Sequence, residues 1–383
     1  MHNLLDLGNQ PLVNNLFYNK EDSLNAKQYR MAATIDGNLK IQLDTVIPSE
    51  HLYEKYLYHS SVSKPYIYHC QKMWHSIKHL KHDVIIDVGG NDGTLLKAFR
   101  SQTTDSLKLT NVDASSSFRE ENIKSGIEYV NDYFNEDLEL QKADIITSTN
   151  VFQHTPGVEK FLAGIKKHLS PYGVWVLEFP YTLRTFETLQ FDQFYHEHYY
   201  YWLVTPLVKL FDQYGLHIVN IEEQTIHGGT LRLWISHKQY SNPTEEIDEY
   251  LKAEQKFNFF ISAEKMYKKI VKDKLWIKNL KGNISFFGAA AKGCVYLNAL
   301  GITIKDFPNS YIVDDTLNKQ NLFVPGTGFE IISRERLYRE QPENLIILAH
   351  NFKDYISKSL RPRYLGKIIN MLPNVQIDLG EDY

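Results

Sequence analysis

From Val84 the chain reads "VIIDVGGNDGTLL": a short apolar run, a turn holding Gly89, Gly90 and Gly93, and the opening of a helix. Few folds accommodate such a stretch. A run apolar at successive positions is buried on both faces, the mark of a parallel strand covered by helices. The turn after it must adopt backbone conformations that glycine alone reaches cheaply. "LKLTNVDAS", "ADIITSTNVF" and "YGVWVLEFPY" follow, each of strand length and separated by stretches long enough for a helix. That alternation predicts a doubly wound, Rossmann-like α/β sheet. A second strand–glycine–helix unit begins at "NISFFGAAAKG" and continues through "SYIVDDT" and "NLIILAHNF". Between the two units, Thr244 to Lys281 is rich in Glu and Lys with apolar residues every three or four, a helical pattern. The expected plan is a loop-rich N-terminal module over 1–75, an α/β domain over 76–240, a helical connector over 241–280 and a second Rossmann-like α/β domain over 281–383.

Composition narrows the function. At 383 residues the chain exceeds one ordinary core, and 43% hydrophobic with 23% charged residues is globular. A formal charge of -4 argues against nucleic acid and membrane surfaces as partners. There is no apolar run of membrane-spanning length, and the N-terminus lacks the basic start and apolar centre of a secretory signal. The only cysteines, Cys70 and Cys294, lie far apart, as suits reduced thiols in the cytoplasm. Nothing in the chain demands an oligomer, so a monomer is favoured.

The first glycine turn points to a cofactor. Asp87 ends the strand, Asn91 stands in the turn, and bare glycine backbone admits a ligand closely. Dinucleotide sites use G-x-G-x-x-G. Here the spacing is G-G-x-x-G behind an acid, which resembles the first motif of S-adenosylmethionine-dependent methyltransferases. An acid suits a cationic cofactor better than a pyrophosphate. The resemblance places Asp113, at the next strand end, on the ribose hydroxyls. It places Asn131, Asp132 and Tyr133 of "NDYFN" on the adenine, and Thr149, Asn150 and His154 of "TSTNVFQH" on the methionine portion.

The stretch "FDQFYHEHYYYW", Phe191 to Trp202, gathers two histidines, a glutamate, an aspartate and four tyrosines. It follows "EFPY" at the carboxyl edge of the predicted sheet, where open α/β sheets bind ligands. With this loop the chain resembles, over nearly its whole length, the sugar-nucleotide C-methyltransferases of branched deoxysugar biosynthesis. The motifs are "LLDLGNQPLVNNL", "YLYHSSVS", "DVGGNDGTLL", "EFPY", "FDQFYHEHYYYW", "HGGTLR", "FGAAAKG", "VDDTLNKQNLFVPGTG" and "AHNF". The family usually opens with zinc-binding cysteine pairs. This chain has no thiol before Cys70, so its first module is expected to fold without metal.

The resemblance implies a class I methyltransferase domain and a nucleotide-linked 4-keto-6-deoxyhexose methylated at C-3. That chemistry needs a base for a ketone-acidified C–H and donors for the enolate oxygen. His198 is the expected base, Glu197 orients it or holds a hydroxyl, and Tyr195 donates to substrate. The family's second catalytic tyrosine corresponds best to Tyr58, then to Tyr56, with Ser60 beside them. Tyr199, Tyr200 and Tyr201 are expected to pack. Phe179, Pro180 and Tyr181 of the strand end, with His227, Gly228 and Arg232 of "HGGTLR", are expected at the substrate. Gly288, Lys292, Asp314 and Asn351 are expected to meet its nucleotide portion. Competing readings are an O- or N-methyltransferase on a similar sugar, an NAD-dependent dehydrogenase using the "FGAAAKG" turn, and a non-catalytic binding protein.

Overall fold

A computed structural model describes residues 1–48, 52, 61 and 64–380. Its central sheet has seven strands in the order Leu216–Gln224, Thr230–His237, Leu169–Pro180, Ala143–Thr149, Val84–Val88, Lys108–Val112 and Glu128–Val130. The last five run parallel, and Thr230–His237 is antiparallel to both its neighbours. This is the class I Rossmann-like arrangement. Val84–Val88 is buried at every residue, as a central parallel strand must be. Strand order reverses between Val84–Val88 and Ala143–Thr149, which opens a crevice at their carboxyl ends. Gly89 stands there at φ 66°, and a Cβ on it would come 2.4 Å from Val151 Cγ2. The turn therefore packs directly on the segment leaving the adjacent strand.

The second α/β sheet runs Ile331–Ile332, Ile312–Val313, Ile284–Phe287, Asn344–Ile347, Lys367–Asn370 and Gln376–Asp378, with only the last strand antiparallel. Helices Ile247–Lys256 and Phe259–Lys278 fill the stretch between the sheets. No helix among the described residues is long and apolar enough to cross a membrane.

The N-terminal segment is more regular than its Gly- and Pro-punctuated sequence suggests. Strands His2–Pro11, Gln28–Ile35 and Ile41–Leu43 form an antiparallel sheet. Gly8, at φ 71°, lies within an irregularity of register between Asp6 and Asn9, so a residue that reads as a turn serves as a bulge. The fourth strand of this sheet is Tyr200–Tyr201, contributed by the tyrosine-rich loop. The same segment reaches the second α/β sheet: Phe17 pairs with Phe323, and Ser23 Oγ donates to the carbonyl of Val324 at 2.7 Å.

One buried side chain ties the connector to the central domain. Glu254 accepts from Tyr181 Oη (2.9 Å), the N–H groups of Val204 (2.7 Å) and Thr205 (2.8 Å), and Thr205 Oγ1 (2.6 Å). It thereby satisfies free donors at the start of helix Val204–Asp212 from a distant element. Hydrogen bonds to a charged group contribute about 1.5–3 kcal/mol each, and a buried donor left alone adds a penalty. E254A should lower the unfolding free energy by roughly 3 kcal/mol or more, and E254Q by less, in urea titrations.

Candidate active site

The glycine turn forms a cradle around two carboxylates. Asp87 is fully buried, and its Oδ1 accepts from Thr147 Oγ1 at 2.7 Å. Its Oδ2 has no partner among the described residues. Burial pushes its carboxyl up to about 7, against the Thr147 hydrogen bond. A Cβ on Gly90 would stand 2.6 Å from both Asp87 Oδ2 and Asn111 Oδ1, so only glycine leaves that acid room here. Asn91 and Gly93 are both left-handed, at φ 53° and 76°. Asp113 accepts the N–H of Asn91 on Oδ2 and that of Ser115 on Oδ1, both at 2.9 Å. Each oxygen keeps a lone pair for a ligand hydroxyl. These residues fit S-adenosylmethionine: an unpartnered acid, backbone bared by glycine, and a fixed carboxylate one strand away.

The rest of the expected cofactor set is spread along the same edge. The Asn131 side chain donates to the carbonyls of Asp113 and Ala114, bracing that strand end. Asp132 accepts the N–H of Tyr133, and the Tyr133 ring is exposed. Thr149 Oγ1 lies 2.9 Å from Tyr66 Oη, and Asn150 is left-handed with its N–H on the Glu178 carbonyl. His154 differs from the rest. It is half-buried with its ring 4.8 Å from that of His198, edge to face, so it belongs with the tyrosine-rich loop.

That loop is closed on itself. The His198 N–H donates to the Tyr195 carbonyl, and the two rings are 3.9 Å apart. His198 Nδ1 lies 3.0 Å from the carbonyl of Gln193. A carbonyl only accepts, so Nδ1 carries the proton and Nε2 holds the free lone pair. Burial holds the imidazole well below its ordinary range, with His154 and the Lys292 charge adding to the effect. Burial likewise takes His154 down to about 4. Both rings are neutral at pH 7.

Glu197 does not orient His198. Its Oε1 accepts from Asn14 Nδ2 of the N-terminal segment at 2.6 Å, and burial pushes it up to about 7. The orienting acceptor is the Gln193 carbonyl, which no side-chain motif reveals. Lys292 opens helix Ala291–Leu300, whose Tyr296 stacks on Phe191 at 5.3 Å. Burial lowers the Lys292 ammonium to about 8, opposed by Asp192. Burial raises Asp192 to about 6, opposed by Lys292. The second α/β domain thus brings a cation to the loop.

Several expected substrate contacts have other partners. Arg232 Nε donates to Glu178 Oε1 at 2.5 Å, and His69 Nε2 is 2.8 Å from Glu178 Oε2. All three residues are buried, so the guanidinium is spent on a carboxylate under the sheet edge rather than on phosphate. Burial works to raise Glu178, but the His69 hydrogen bond and the Arg232 charge outweigh it and hold the acid below its usual range. Phe179 is wholly inside the core, and Tyr181 Oη is committed to Glu254. Pro180 remains at a cavity beside His198. Gly288, at φ 104°, is a packing glycine, since a Cβ there would meet Ala349 Cβ at 2.8 Å. Asp314 takes the N–H groups of Ala289 and Thr316. Asn351 approaches Gly228, where an added Cβ would stand 2.7 Å from Asn351 Oδ1, so the "HGGTLR" and "AHNF" turns meet. Tyr56, Tyr58, Ser60 and the side chain of His227 lie outside the described residues.

Comparison with known proteins gives matches along most of the chain. Residues 69–221 match a family described as a methyltransferase domain, and residues 225–373 match the C-methyltransferase C-terminal domain. C-methyltransferase NovU of Streptomyces niveus is 23% identical over 370 residues, covering 91% of this chain and 87% of its own. Among solved structures, mitomycin 7-O-methyltransferase MmcR is similar with a TM-score of 0.39 and 13% identity, over 49% of this chain and 57% of that one. A Burkholderia thailandensis 1,6-didemethyltoxoflavin-N1-methyltransferase gives a TM-score of 0.38 and 16% identity, over 53% and 96% of the respective chains.

The raised Asp87 predicts a stability–binding trade-off. An unfolded aspartate ionises near about 3.9, while the folded one keeps its proton to about 7. The stability this group confers at acid pH is lost as pH rises through that window. D87N should flatten that loss, gaining urea resistance over wild type at pH 8 but not at pH 4. Calorimetry should show S-adenosylhomocysteine bound at least tenfold more weakly by D87N. Unchanged affinity would remove Asp87 from the cofactor site.

Proposed function

We propose that this chain, whose residues 69–221 and 225–373 match a methyltransferase domain and the C-methyltransferase C-terminal domain, is an S-adenosylmethionine-dependent C-methyltransferase whose acceptor is a nucleotide-linked 4-keto-6-deoxy sugar, methylated at C-3. The observation that carries this reading is the His198 imidazole, neutral and with Nδ1 tied to a backbone carbonyl. Carbon methylation requires a carbanion, and a neutral imidazole with a free Nε2 is suited to generating one beside a ketone. In that step the C-3–H bond breaks, the proton passes to Nε2, and the electron pair spreads onto the ketone oxygen. Asp87, Gly89, Gly90, Asn91 and Asp113 would hold S-adenosylmethionine, which supplies an electrophilic methyl group when bound.

The remaining roles follow from placement. Tyr195, ring to ring with His198, is positioned to donate to the sugar. Lys292 offsets negative charge on the substrate from the side of the second α/β domain. The meeting turns around Gly228 and Asn351 support a nucleotide on that side. Tyr58, outside the described residues, is proposed as a further donor on the family resemblance alone.

The reaction can be followed without the methyl donor. In D₂O, dTDP-, GDP- or CDP-4-keto-6-deoxyhexoses should gain deuterium at C-3 with wild-type protein. H198A should slow this at least 100-fold while binding S-adenosylhomocysteine as before, in line with general-base contributions of about 10²–10⁴. With a ¹³C-methyl donor, NMR should show a C-methyl carbon. An O-methyl signal, or exchange that survives H198A, would overturn the assignment.

A further inference from the structure

The cavity beside His198 is walled by Gln153, Pro180, Thr182, Thr185 and Tyr201 among others. Two of these side chains are buried yet incompletely bonded. Gln153 is 2% exposed, and neither its Oε1 nor its Nε2 has a partner among the described residues. Tyr201 is 5% exposed; the backbone N–H of Tyr195 faces its oxygen short of full hydrogen-bond geometry, and the hydroxyl proton has no acceptor among the described residues. A buried polar group left unsatisfied costs about 1–3 kcal/mol, so such groups call for an explanation where they cluster.

Both are held in place by apolar packing. Gln153 lies in the turn Phe152–His154. Phe152 is stacked on Trp202 at 4.9 Å and meets Trp175 edge to face at 5.7 Å. The next residue, His154, touches His198. Tyr201 stacks its ring on Phe194 at 4.3 Å, and its backbone pairs with Ile41. The ring packs, as the sequence suggests, while the hydroxyl proton is left over. Two anchored polar groups therefore share one cavity with the imidazole.

The atoms left over specify the ligand group. Gln153 offers N–H donors on Nε2 and an acceptor on Oε1, and the Tyr201 phenol offers its proton. A ketone oxygen would use donors alone. A hydroxyl uses both kinds, so a hydroxyl is the complement. We propose that Gln153 and Tyr201 form a hydroxyl-reading subsite that binds the C-2 hydroxyl of the sugar while His198 works at C-3. This rests on the function proposed above, in which C-4 is the ketone and C-2 is the other neighbour of the reacting carbon. A site built to bond a substrate hydroxyl rejects analogues lacking it, because its own buried groups are then left unpaired.

The test compares kcat/KM for 4-keto-6-deoxy sugar nucleotides with and without the C-2 hydroxyl, in wild type, Q153L and Y201F. Wild type should prefer the hydroxylated sugar at least tenfold, and Q153L should reduce that preference at least fivefold, with Y201F in the same direction. Ligand-free Q153L should also melt at a higher temperature than wild type, since an unpaired amide has been exchanged for an apolar group of similar size. An unchanged preference in Q153L, or a lower melting temperature, would overturn the subsite while leaving the proposed function standing. Wild type that neither methylates nor exchanges either sugar would overturn both.

Discussion

The loop that carries His198 owes its position to a strand pairing. Tyr200 and Tyr201 pair with Gln42 and Ile41, and the Leu43 N–H donates to the Tyr199 carbonyl. Because side chains alternate along a strand, this register turns Tyr201 inward and leaves Tyr200 half-buried. His198 stands just before the pairing begins and is fixed from the other side by its own turn to Tyr195. The N-terminal sheet is thus the scaffold of a loop distant in sequence. Its cohesion comes from apolar residues such as Met31, Ala33, Ile35, Ile41 and Leu43, all buried.

Dryness is the second constraint. Burial moves Asp87 and Glu197 up to about 7 and Asp192 to about 6, and it moves Lys292 down to about 8 and His154 to about 4. Each shift favours the uncharged form, because a site away from water penalises charge of either sign. A neutral imidazole follows from the same cause. Glu178 escapes the trend because it has two partners, His69 and Arg232. Removing one partner would leave a buried charge exposed to its full desolvation cost. That is why the arginine of "HGGTLR" belongs to the structure rather than to an anion.

Legibility in the sequence followed chemical range. The parallel strands of both α/β units were readable because burial on two faces leaves continuous apolar runs, and the glycine cradle because positive φ leaves few residue choices. The strand His2–Pro11 was not, since Gly8 and Pro11 read as turn formers until a bulge absorbs Gly8. Within the candidate site, the sequence puts His198 and Tyr195 in one loop, and the structure sets their rings together. The Gln193 carbonyl could not, because a backbone acceptor has no residue signature. Glu254 capping a helix fifty residues away, and Arg232 answering Glu178, are long-range satisfactions of buried polar groups that only the fold reveals.

Three segments of the chain converge on the loop. Asn14, in the turn after strand His2–Pro11, bonds Glu197, the central domain supplies His154 and His198, and Lys292 approaches from the second α/β domain. The Lys292 charge further disfavours protonation of His198 and so helps keep the resting imidazole neutral. In the reaction proposed above, the same cation would attract the negative charge that develops on the ketone oxygen. The approach of the second α/β domain sets the strength of both effects.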